Sequence, residues 1–160
     1  MNFRRRENHV HTEVGSFRRA VSTDVDAIVR MLADDPLGAL RESPGDPAYL
    51  RAFAEIDADP NQLLVVAENG GEVVATMQLS FIPGLSRLGM SRCQIEAVRV
   101  RDDQRGSGLG EAMIRWGVER ARERGCGLVQ LTTDATRADA RRFYERIGFT
   151  PSHVGMKLAL

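Results

Sequence analysis

Gly106, Gly108 and Gly110 stand at every second position of the segment Arg105-Gly106-Ser107-Gly108-Leu109-Gly110. Residues without side chains serve no packed core, but they let a backbone curl until its N–H groups face one anion. Directly behind them Ala112, Met113, Trp116 and Ala121 recur near one face at helical spacing. The glycines therefore open a helix, whose free first-turn N–H groups and positive dipole end favour negative charge. Phosphate binding is the chemistry that this combination suits.

Other glycine-rich loops fit less well. A nucleotide-triphosphate loop needs a Gly-Lys pair, and the chain contains none. The dinucleotide fingerprint wants Gly-x-Gly-x-x-Gly and an acidic residue about twenty positions on, whereas the stretch around Gln130 is apolar with threonines. A plain strand-to-helix turn is the remaining alternative.

The elements that must position this loop follow from periodicity. Phe17 to Val21 reads as a first strand, and Ser22 or Thr23 caps a helix carrying Val25, Ile28, Val29 and Leu32 on one side, ending near Asp35-Pro36. Leu37 to Gly45 is a loop and candidate substrate lid. Asp46-Pro47 starts a second helix through Leu50, Phe53 and Ile56. From Gln62 the period becomes two: Leu63–Glu68, a turn at Asn69-Gly70-Gly71, and Glu72–Phe81 form a hairpin. A second loop, Ile82 to Gly89, leads to the strand Ile95–Val100. After the glycine-started helix come a buried strand Leu128–Thr133, a helix Ala138–Ile147 stopped at Gly148, and a closing strand from Phe149 to Leu160. This order implies an α/β (α+β) fold with a mixed, mostly antiparallel sheet and helices on both faces.

At 160 residues the chain is long enough for one domain with its own core, expected over residues 15–160. Residues 1–14, polar and arginine-rich, read as a flexible tail. Charge balances at 22 basic against 22 acidic residues, so nothing global favours nucleic acid or an anionic membrane. Arg4-Arg5-Arg6 without an aromatic platform offers only weak, salt-sensitive attraction to nucleic acid. No apolar run approaches the roughly 18 residues that span a bilayer, and no apolar secretion segment follows the arginines, so a cytoplasmic protein is expected. Cys93 and Cys126 are expected as free, semi-buried thiols, and the scattered His9, His11 and His153 make a metal site unexpected.

The loop Arg105-Gly106-Ser107-Gly108-Leu109-Gly110, preceded by Val98 and Val100 and followed by Tyr144-Glu145-Arg146-Ile147-Gly148-Phe149, resembles the signature of the GCN5-related N-acetyltransferase (GNAT) superfamily from Phe17 to Leu160. The resemblance implies a splay between the two central strands, with the pantetheine arm of acetyl-coenzyme A in the wedge. It implies that Arg105, Gly106, Ser107, Gly108, Leu109 and Gly110 hold the pyrophosphate, and that main-chain groups of Val98 and Val100 bond the arm. One departure is Arg137, which stands where many relatives place an asparagine against the coenzyme. An arginine there could meet a phosphate or an anionic substrate instead.

Acetyl transfer needs a neutral amine, yet a free alkylamine is mostly ammonium at neutral pH because its pKa is near ~10. Glu96 stands where many relatives carry a general base; the alternative is a solvated residue on an alternating strand. Tyr144 matches the family's proton donor to the departing thiolate, or else packs on the sheet like Phe143. The Val98 N–H could steady the thioester oxygen. Thr132-Thr133, Arg137-x-Asp139-Ala140-x-Arg142-Phe143-Tyr144, Ser152-His153 and Lys157-x-x-Leu160 are similar to bacterial aminoalkylphosphonate N-acetyltransferases. That similarity implies a small amine acceptor. A protein or peptide acetyltransferase and a non-catalytic acetyl-coenzyme A-binding regulatory module are the alternatives, and pairing as a homodimer is expected by the same resemblance.

Overall fold

The computed structural model describes residues 10–12 and 15–160. Its strands are β1 (Val10–Thr12), β2 (Gly15–Arg19), β3 (Gln62–Asn69), β4 (Glu72–Ile82), β5 (Arg92–Val100) and β6 (Leu128–Leu131). They form one six-stranded sheet in that order. Every neighbouring pair is antiparallel except β5 and β6, which run parallel. The expected mixed, mostly antiparallel sheet is thus present. The β3–β4 hairpin turns through Gly70 and Gly71 at φ 60° and 83°, the positive values that a tight two-residue turn requires.

The helices are α1 (Val25–Ala33), α2 (Ala48–Ala58), a single turn α3 (Ser86–Gly89) that is left-handed at Arg87 and Leu88, α4 (Leu109–Glu123) and α5 (Ala138–Arg146). On one face of the sheet, Phe17, Val65, Met77, Leu79 and Ile95 bury against Leu109, Met113, Ile114 and Ala121 of α4, with Phe143 of α5 and Ile147 just after it at the margin. A Cβ on Gly117 would lie 2.9 Å from Met77 Cε, so the missing side chain lets α4 lie close on β4. On the other face, Ala20 and Val66 pack with Ile28, Leu32, Phe53 and Leu64. This second layer covers β2, β3 and the Val73 end of β4, while Gln78, Ser80, Gln94 and Gln130 hydrogen-bond side chain to side chain farther along the sheet.

Three local expectations are corrected. The polar stretch expected as a tail contributes β1, which pairs Val10–Thr12 with Gly15–Phe17; the rest of residues 1–14 lies outside the described residues. An edge strand needs only main-chain partners, so its sequence need not alternate. Second, neither Ser22 nor Thr23 caps α1 with its side chain. A 3-10 turn at Ser22–Asp24 precedes the helix, and Asp24 Oδ2 reaches back to accept from the Val21 N–H at 2.8 Å. Third, no strand follows Phe149. Val154, Met156, Leu158 and Leu160 alternate as a strand would, yet each is at least 86% exposed. Alternation specifies which face a strand would bury, but it does not supply the partner edge.

The clearest buried charge group ties β2 to the start of α1. Arg18 donates to both oxygens of Asp24, at 2.7 and 2.9 Å, and pairs with Glu68 of β3. Burial alone would raise the Asp24 carboxyl, but the Arg18 guanidinium and the Val21 N–H outweigh it and hold it below its ordinary range. Its stabilisation is therefore present above the unfolded-state value near ~4 and is lost as pH falls through the folded value. Denaturant melts should show stability declining below about pH 4. Asp24→Ala should cost about 3 kcal/mol at neutral pH by leaving Arg18 underpaired, with most of that acid-dependent loss removed.

Candidate active site

Pairing between β5 and β6 runs from Arg92 with Leu128 to Ile95 with Leu131 and stops there. β5 continues to Val100 without a strand on that side among the described residues. Two residues past the last pairing with β6, Ala97 has φ 53°, and the β4 partners shift from Glu96 opposite Gln78 to Arg99 opposite Thr76. That is a β-bulge, with one extra residue on β5. It reverses the alternation, so Glu96 and Arg99 lie on the same face although they are three positions apart. Val98 and Val100 turn to the α4 face and pack on its core.

The glycine loop follows the end of this half-strand. Gly106 and Gly108 adopt φ 77° and 85°, and a Cβ on either would project into open space. Ser107 Oγ donates to the Gln104 carbonyl at 2.7 Å and fixes the curl. Ala112 N–H makes the first bond of α4, to the Gly108 carbonyl at 3.0 Å. Among the described residues, the amides of Gly106, Ser107, Gly108 and Gly110 have no protein acceptor outside the regular elements. Leu109 is buried and anchors the loop to the core. Arg105 folds back, its Nε donating to the Val100 carbonyl at 3.2 Å and its other end pairing with Asp102. The carbonyls of Val98 and Val100 thus each already accept one guanidinium N–H, the former from Arg99 at 2.8 Å. Each retains a second lone pair.

Glu96 is exposed on the polar side of the sheet. Around it lies an amide and hydroxyl floor that sequence reading missed. Gln62 Oε1 accepts from Gln78 at 2.9 Å and from Ser80 at 2.7 Å, while Gln94 accepts from Gln130 at 2.6 Å. The register sets Gln62, Ser80, Gln94 and Gln130 in one row across four strands, with Gln78 opposite Glu96. The available signal was polar residues at positions where a helix-covered strand would alternate to a second apolar face.

Tyr144 projects from α5 between Phe143 and Phe149, with ring centroids at 5.1 and 5.9 Å. Burial pushes its phenol above the ordinary value, with Arg137 and Arg99 pulling the other way. Arg137 is the exposed residue just before α5, seven positions ahead of Tyr144 and so near the same helix side. Arg99 is mostly buried and meets Asp35 at 2.9 Å. Asp35 Oδ1 also accepts from the N–H groups of Leu37 and Gly38, which pins the Leu37–Gly45 loop. Gly38 sits where a Cβ would fall 1.8 Å from the Leu32 carbonyl oxygen.

Set beside known proteins, residues 26–149 match the model of the Acetyltransferase (GNAT) family. The chain belongs to the GNAT family. It is 31% identical over 157 residues to an aminoalkylphosphonate N-acetyltransferase of Salmonella typhimurium, covering 98% of this chain and 97% of that protein. Among solved structures it is similar to a transcriptional regulator from Bacillus halodurans C-125, at 47% identity and a TM-score of 0.88 over 91% of this chain and 99% of that one. It also shares the fold of a predicted acetyltransferase with acetyl-CoA from Clostridium acetobutylicum, at 21% identity and TM-score 0.71, covering 89% and 94% of the two chains. The chain is thus an N-acetyltransferase of a family that uses acetyl-coenzyme A. No helix among the described residues is long and apolar enough to cross a membrane.

An alkaline spectrophotometric titration should show one tyrosine ionising above the usual value near ~10, and Tyr144→Phe should remove that component. A normal titration for both tyrosines would contradict the burial at Tyr144.

Proposed function

We propose that this GNAT enzyme transfers the acetyl group of acetyl-coenzyme A to a primary amine of a small molecule by direct attack, with Glu96 as general base and Tyr144 as general acid. The observation that carries the reading is the set of loop amides at Gly106, Ser107, Gly108 and Gly110, unsatisfied by protein and placed at the start of α4. Such a cradle fits a pyrophosphate, whose negative charge meets free N–H groups and the helix dipole. Arg105, Leu109 and the half-strand Val98–Val100 would hold the rest of the coenzyme, which supplies an activated acyl thioester.

The chain's own groups then divide the proton work. Glu96 accepts the ammonium proton, directly or through water held on the glutamine floor. The Val98 N–H, next to the bulge, faces developing negative charge on the carbonyl oxygen. Tyr144, its phenol kept protonated by burial, donates to the departing sulfur. An acyl-cysteine route is disfavoured, because burial pushes the Cys93 thiol up to about 12 and raises that of Cys126. The free cysteines also suit a cytoplasmic location.

Tethering of the Leu37–Gly45 loop favours a small acceptor over a protein. Tyr49 donates to Glu42 and accepts from the Ser43 N–H, both at 2.9 Å, so the loop is tied to α2. The similarity to a transcriptional regulator supports a second reading, a sensor of acetyl-coenzyme A. It needs the cradle but neither Glu96 nor Tyr144. We further propose that two copies pair by covering the alternating apolar segment Val154–Leu160.

Free thiol should appear when the protein is given acetyl-coenzyme A and an amine panel, and Glu96→Gln or Tyr144→Phe should each lower kcat about 100-fold with coenzyme affinity retained by calorimetry. Tight coenzyme binding without thiol release on any amine would favour the sensor. In sedimentation velocity the wild type should run as a dimer and Met156→Asp/Leu158→Asp as a monomer.

A further inference from the structure

We infer that Arg99, flanked by Arg41 and Arg137, receives an anionic group carried by the acceptor, so that the substrate is a short primary amine bearing a phosphonate, sulfonate or carboxylate. This deepens the small-amine reading above and rests on it. The argument begins with the bulge at Ala97, which brings Arg99 to the face that carries Glu96. In a regular strand, residues three apart would face opposite sides. The separation along β5 is roughly 8–10 Å at ~3.3 Å per residue, the reach of an amine and an acid group joined by a few carbons with both side chains leaning inward.

Arg99 is incompletely used by the protein. Its side chain is only 13% exposed, yet its Nε has no partner, one Nη donates to the Val98 carbonyl and the other faces Asp35. The Asp35 contact has ion-pair distance, but Oδ2 gains no hydrogen bond of acceptable angle. Asp35 is instead committed through Oδ1 to the Leu37 and Gly38 amides. Two further guanidiniums act on Arg99, those of Arg137 and Arg41. Arg41 has a carboxylate, Glu42, at 3.1 Å, and Arg137 has none within ion-pair distance among the described residues. Three guanidiniums therefore act on one another here, with Asp35, Glu42 and, beside Arg137, Asp134 as the nearby carboxylates, and Glu42 is shared with Tyr49. Burying an arginine under such conditions costs free energy unless a further anion completes its hydrogen bonds. A tetrahedral or planar oxyanion does so, and guanidinium groups suit both. In this arrangement Asp35 stands in for the acceptor's acid group and holds the Arg99 fork in place.

The test uses 2-aminoethylphosphonate, taurine and β-alanine against butylamine, with inorganic phosphate as a probe that needs no turnover. The wild type should prefer the acidic amines in kcat/KM, and phosphate should compete with the amine and raise Tm. Arg99→Gln should lower the ratio of kcat/KM for 2-aminoethylphosphonate over butylamine about 100-fold, chiefly through KM, as expected for a lost charge-assisted contact. Arg137→Gln, at an exposed position, should lower the ratio about 10-fold and weaken the phosphate shift. Butylamine accepted as well as the acidic amines, or a ratio unmoved in both variants, would overturn the inference while leaving the acetyltransferase reading intact. A phosphate shift that depends on Arg99 and Arg137 in a protein that acetylates no amine would do the reverse: the anion site would stand and the proposed reaction would fall.

Discussion

The structure depends on a pairing that ends early. Main-chain N–H and C=O groups are obligatory hydrogen-bonding groups, so a strand that loses its neighbour halfway along must meet solvent, side chains or a ligand. β5 does this after Ile95, where β6 ceases to follow it. The left-handed backbone at Ala97 lies two residues farther on, and for a residue with a Cβ that conformation costs about 1–2 kcal/mol. The surrounding sheet holds it there: Gln78 opposite Glu96 on one side of the bulge and Thr76 opposite Arg99 on the other leave no register in which Ala97 could be extended.

From that defect the placement of the other parts follows. The bulge sends Glu96 and Arg99 to one face while returning Val98 and Val100 to the α4 core. The core in turn fixes Leu109, and Leu109 fixes the glycine loop at the mouth of the unpaired half-strand. Tyr144 reaches the same region from α5, held by two edge-on aromatic contacts rather than by a hydrogen bond. The packed layers thus hold the backbone, and the loop amides and Arg99 are left with spare hydrogen-bonding capacity.

Two mostly buried arginines make the contrast concrete. Arg18 spends its guanidinium on Asp24 through two well-formed bonds and on Glu68 through another, a closed network that locks β2, β3 and the start of α1. Arg99 is similarly shielded but has one carboxylate at an unfavourable angle and a nitrogen with nothing to bond. A satisfied network rigidifies a fold, and a partly satisfied one is where a ligand has something to gain. The difference between them lies in completeness, since both are shielded arginines of one sheet.

The amino-acid order alone determined the elements whose signals are local. Gly70-Gly71 required a tight hairpin, the apolar spacing of Met113, Trp116 and Ala121 required a helix, and Arg105–Gly110 required a loop with positive φ, all of which are present. The family could likewise be read from motif residues close together in the chain. The tertiary structure alone decided that Val10–Thr12 joins the sheet, that Val154–Leu160 finds no edge among the described residues, and that Gln62, Ser80, Gln94 and Gln130 form one polar row. It also decided the bulge, because nothing in Glu96-Ala97-Val98-Arg99 signals left-handed backbone at an alanine. Each of these is a matter of which distant segment lies alongside, and registers between segments are set by the packing of whole faces rather than by any short run of residues.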